Sequence, residues 1–124
     1  MADPKRLRSL KDLIDKTIHS ANQEMFLTLP NHLVMAFKAG AHKKDIDPAT
    51  GEPFASFYAW LRAESPAGVG LGVSAYVNAG DVIRQLERTQ DKIPDEHRAA
   101  LNALIEDLMK GYGAAKDRWG GGKD

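Results

Sequence analysis

Between Asn78 and Arg118 the chain carries two amphipathic stripes divided by Asp91-Lys92-Ile93-Pro94, and a pair of helices folded back on each other satisfies both. In the first, Ala79, Val82, Ile83, Leu86 and Ile93 recur at the three- and four-residue steps of one helical face, with Arg84, Gln85, Glu87, Arg88 and Asp91 expected on the wet side. In the second, Pro94 suits a first helical position and Asp95 and Glu96 follow in the turn where the helix dipole favours acids. Leu101, Leu104, Ile105, Leu108 and Met109 form its stripe, Lys110 lies near the expected end, and Gly111 and Gly113 are expected to weaken or stop it.

The preceding segments need such a pair to pack against. Asp3 and Pro4 open a helix whose apolar face runs through Leu7, Leu10, Leu13, Ile14, Thr17, Ile18 and Ala21. Met25 to Leu29 is too short for its period to decide between a strand and a buried linker, and Asn31 is expected to cap a short helix ending at Gly40. Ala41 to Glu52 is the most polar internal segment, and its Asp47-Pro48 and Thr50-Gly51 pairs predict an exposed turn. In the next helix, Phe54, Phe57, Tyr58 and Leu61 share the inner side while Trp60 is displaced around it. Val69 to Val77 alternates like a strand, broken by two glycines.

These segments predict a mainly α fold: a single-domain bundle of four or five helices with a C-terminal helical hairpin. A small two-stranded β element would come from the Met25 and Val69 segments. The domain is expected to span residues 1–118, with 119–124 a flexible glycine-rich tail whose Trp119 docks on the body.

The formal net charge is zero, from 17 basic and 17 acidic side chains, so no whole-chain field draws the protein to nucleic acid or an anionic membrane. The absence of cysteine removes disulfides, thiolate metal sites and cysteine nucleophiles, and suits a reducing compartment. No apolar run reaches the roughly 20 residues of a membrane span, and no signal core opens the chain. The expected setting is the cytoplasm.

Catalytic signatures are missing. The four histidines, His19, His32, His42 and His97, include no pair at the spacing that points two imidazoles at one metal, and are expected to be surface or capping residues. Gly70-Leu71-Gly72-Val73-Ser74-Ala75 fits a loose dinucleotide fingerprint but lacks the preceding strand, so a close backbone contact or a connector explains its glycines better. Acid pairs such as Asp45 and Asp47, or Glu106 and Asp107, are the remaining catalytic candidates. Asp45 and Asp47 also lack the further ligands of a calcium loop.

The expected function is therefore that of a small non-enzymatic protein-binding or regulatory accessory module without cofactor or metal, of the general character of bacterial, phage or plasmid accessory proteins. Its partner-binding residues would be Trp60 and the loop residues Lys43, Lys44, Asp45, Asp47 and Glu52. A homodimer is expected as well, because the stripes outnumber the faces one small core needs. The alternative is a nucleic-acid-binding regulator using Lys5, Arg6, Arg8 and Lys11, or His42, Lys43 and Lys44. An enzyme without a recognisable motif ranks third.

Overall fold

The computed structural model describes residues 4–118, without the side chains of Pro4, Arg6, Leu7 and residues 114–118. The expected roles of Asp3, Arg6, Leu7 and Trp119, and the expected tail, lie outside the described residues. Among the described residues, six α-helices and one two-stranded antiparallel sheet follow in the order α1 (Pro4–Ile18), α2 (Gln23–Lys38), α3 (Ala41–Lys44), β1 (Ile46–Asp47), β2 (Glu52–Pro53), α4 (Phe57–Arg62), α5 (Ala79–Arg88) and α6 (Asp95–Arg118). Single 3-10 turns occupy Leu71–Val73 and Gln90–Lys92. The mainly helical bundle with its C-terminal hairpin stands as read from sequence.

Several elements differ from expectation. The Met25 to Leu29 run is neither strand nor linker but part of α2, because Asn22 accepts from the amides of Glu24 (2.9 Å) and Met25 (3.2 Å) and starts the helix well before Asn31. Pro30 sits inside that helix, buried beside Leu29, Leu33 and Val34. An interior proline costs roughly 3 kcal/mol, and burying the three aliphatic neighbours at about 1.5–3 kcal/mol each offsets it. The β element exists elsewhere than expected: Ile46 pairs with Pro53 and Asp47 with Glu52. Between those strands Asp47 accepts from the amides of Ala49, Thr50 and Gly51, which makes the segment the turn its composition predicts.

The 69–77 segment contains no strand. Val69 and Gly70 donate backbone hydrogen bonds to the carbonyls of Trp60 and Ala63, pinning the chain to the end of α4. Gly70 has φ +78°, and a Cβ there would lie 2.8 Å from the His19 ring. The glycine there permits the close approach of the His19 ring.

The hairpin forms as predicted, with a capping box in which Asn78 and Asp81 satisfy each other's amides. Gln85, expected on the wet face, is buried. α6 does not end at Gly111 or Gly113 but continues to Arg118. A Cβ at Gly111 would fall 2.4 Å from Tyr58, so that glycine lets α4 lie against α6 rather than stopping the helix.

α1 packs on α2, α2 and α4 pack on α6, and α5 closes against α6. One core collects Ile14 and Ile18 of α1, Leu29 and Leu33 of α2, Phe57 and Leu61 of α4, Leu86 of α5 and Leu101, Leu104 and Leu108 of α6. Most of the stripe residues are spent on this core, but Leu13, Ala21 and Met109, expected on the apolar faces, are exposed. Among the described residues, no helix is long and apolar enough to cross a membrane.

Candidate functional site

Trp60 is the principal correction to the expected site. It has no exposed surface, packs against Phe57 with ring centroids 5.0 Å apart, and donates its indole N–H to Asp45 Oδ2 at 2.8 Å. α4 is only six residues long, starts at Phe57 and is covered on several sides, so displacement around its axis does not bring Trp60 to water. Phe54, Phe57, Tyr58 and Leu61 are buried as expected.

A cleft lies beside Trp60. Its volume is about 500 Å³, and it is walled by Arg8, Lys11, Asp12 and Asp15 of α1 on one side and by Ala41, Lys44 and Asp45 on the other. Ser65 and Pro66 close one flank, and Trp60 lies beneath the floor. Positions 8, 11, 12 and 15 form one face of α1 by the three- and four-residue steps of a helix.

Lys11 joins the walls. Its ammonium donates to Asp45 Oδ2 at 2.9 Å, to the carbonyl of Ala67 at 3.3 Å and to the carbonyl of Pro66. An ammonium has three N–H donors, so all three are engaged. Asp45 Oδ2 therefore receives both the lysine and the indole, and three distant segments are fixed through one carboxylate oxygen.

The expected partner-binding set is divided by this geometry. Lys44 and Asp45 stand on the rim, whereas Lys43, Asp47 and Glu52 do not line the cleft. The two basic patches expected as alternatives partly converge, since Arg8 and Lys11 of the first and Lys44 of the second meet here. Asp12, Asp15 and Asp45 stand among them. Lys5 is exposed on α1 outside the cleft lining.

His42 leaves the phosphate-binding candidates, and corrects the expectation of a surface or capping role. Its ring is buried, stacked on Phe37 at 6.1 Å and edge-on to Phe57 at 5.6 Å, and its Nδ1 has no partner. Burial pushes its pKa below the usual histidine value, with Asp107 pulling it up and Lys43 pushing it down. His32 is likewise lowered by burial. His19 contacts the carbonyl of Val69, and His97 meets Lys38 Nζ at 2.8 Å.

The acid pairs have structural employment. Asp107 of α6 accepts from the amides of Phe57 (3.1 Å) and Tyr58 (2.9 Å), and caps α4 together with Ser56. Asp45 holds Lys11 and Trp60, Asp47 builds its turn, and Glu106 faces solvent. Among the described residues no group of three or more His, Asp or Glu is placed to hold a metal ion.

Sequence reasoning missed Asp12, Asp15, Ala41, Ser65 and Pro66 as neighbours of one cleft. The α1 face was readable from helical spacing, but the meeting of Lys11 with a residue 34 positions away was not. No protein-family model, curated protein or solved structure matches the chain.

Proposed function

We propose that this chain is a cytoplasmic, non-enzymatic protein-binding module that takes a short peptide segment of its partner into the cleft between α1 and the α3–β1 corner. The observation that carries the reading is the ordered rim: Lys11 ties both walls and the Pro66 flank together, so the cleft needs little ordering when it is filled. A volume of about 500 Å³ suits a few side chains of a peptide.

Lys11 has no free donor, and among the described residues no histidine lines the cleft to activate Ser65. Both facts favour binding over catalysis. A nucleic-acid backbone fits less well, because three carboxylates interrupt the basic side chains it would follow.

The test is selection of a displayed random-peptide library on the immobilised full chain, followed by binding measurements with Ser65→Trp. Ser65 is exposed on the flank, so tryptophan there obstructs the cleft without entering the core. Enrichment of peptides that bind the wild type and lose at least tenfold affinity for Ser65→Trp is expected. No enrichment, or binding indifferent to that substitution, contradicts the reading.

A further inference from the structure

Four charged side chains of the cleft have no ion-pair partner among the described residues: Arg8 and Lys44, and Asp12 and Asp15. Lys11 and Asp45 neutralise each other, so the rim presents two cations and two anions to whatever enters. We infer that the occupant is a mixed-charge peptide segment, with an acidic side chain facing Arg8 and Lys44 and a basic one facing Asp12 and Asp15. The inference rests on the peptide-binding reading above and deepens it by naming the partner's chemistry.

The physical argument is one of elimination by desolvation and repulsion. A wholly apolar segment would strip water from four charges and return nothing to them. A polyanion, nucleic acid included, would meet the two aspartates, and a purely basic segment would meet Arg8 and Lys44. Only an occupant of both signs satisfies both ends of the α1 face. At 1.5 Å rise per residue, Arg8 and Asp15 lie roughly 10 Å apart along the helix axis. A peptide in the polyproline II conformation, with three residues per turn and about 3.1 Å rise per residue, covers that distance with its acid and base about three residues apart on one side.

The same displayed library, selected in parallel on the wild type and on the double variant Asp12→Lys/Asp15→Lys, tests this. The wild-type pool should pair an acidic with a basic residue about three positions apart around an apolar centre. Changing the basic residue of a selected peptide to Glu should weaken its binding to the wild type by about fivefold or more and restore binding to the double variant. Arg8→Glu supplies an independent check with the opposite preference, and thermal melting of each variant confirms that it is folded. Pools blocked by Ser65→Trp but carrying charges of one sign, or none, would overturn the mixed-charge inference and leave the peptide reading standing. Failure to select any peptide sensitive to Ser65→Trp, or tighter binding of a labelled oligonucleotide than of any peptide at the same salt, would overturn both.

Discussion

The indole N–H of Trp60 and the carboxylate of Asp45 meet at 2.8 Å, and the oxygen that accepts the indole also holds Lys11 at 2.9 Å. One oxygen thereby links α4, the α3–β1 corner and α1. Removing the carboxylate leaves a buried indole donor and an ammonium without its counter-ion, whereas removing the indole leaves a void.

Trp60→Ala should therefore lower folding stability by about 3–5 kcal/mol, as expected for truncating a large buried aromatic. Asp45→Ala should cost about 1–3 kcal/mol, the smaller figure because water reaches part of that carboxylate. Urea denaturation followed by circular dichroism measures both. A Trp60→Ala variant as stable as the wild type would mean that the indole is not core.

Gly111 and Gly113 sit on the same helix and should respond to alanine with opposite signs. Alanine at position 113 meets nothing within 4 Å and gains helix propensity, so about 0.5–1 kcal/mol of added stability is expected. Alanine at 111 would overlap the Tyr58 ring, with its Cβ 2.4–2.8 Å from ring and side-chain carbons. It should destabilise by about 1–3 kcal/mol through overpacking. Melting temperatures of the two variants decide the point, and equal shifts would deny the close approach of α4 and α6.

Acid should weaken the fold through His42 and His32. Burial lowers both below the ordinary histidine value of 6.5, so the unfolded chain binds protons that the folded chain refuses. Stability is therefore complete above about pH 6.5 and falls as the pH drops from there toward the depressed folded values. Denaturation midpoints across that range should fall with pH, and His42→Phe, which keeps the stacking on Phe37, should flatten the slope. An unchanged slope would remove His42 from the account.

Asp107 has two effects that one substitution separates. Asp107→Ala removes the acceptor for the Phe57 and Tyr58 amides and should cost about 0.5–2 kcal/mol, the range for a lost helix cap. It also removes the negative charge that pulls the His42 pKa upward, so His42 should titrate at still lower pH. Proton NMR of the imidazole ring follows that shift, and movement in the other direction would contradict the assignment.

The helical hairpin was legible because its information is local: apolar steps of three and four, Pro94, and the acids Asp95 and Glu96 after it are all read within one segment. α2 was misread because a proline usually ends a helix, and only the burial of Leu29, Leu33 and Val34 overrides that preference. Trp60 and His42 were placed near water by position and type, while the contacts that bury them, Phe57 against His42 and Asp45 against Trp60, come from other segments. Of the cleft, the charged face of α1 and the residues Lys44 and Asp45 were visible separately. Their meeting is a tertiary event carried by Lys11, and local spacing does not encode it.

The most direct test of the cleft is a two-dimensional NMR titration of the full chain with a library-selected peptide, following the Trp60 indole N–H and the amides of Ala41, Lys44 and Ser65. Filling the cleft should shift all four, since Asp45 transmits any change at the rim to the indole. The amides of Met109 and Tyr112, exposed on α6 and absent from the cleft lining, should stay in place. Shifts confined to α6, with the Trp60 indole unmoved at saturation, would contradict the assignment of the cleft as the binding site.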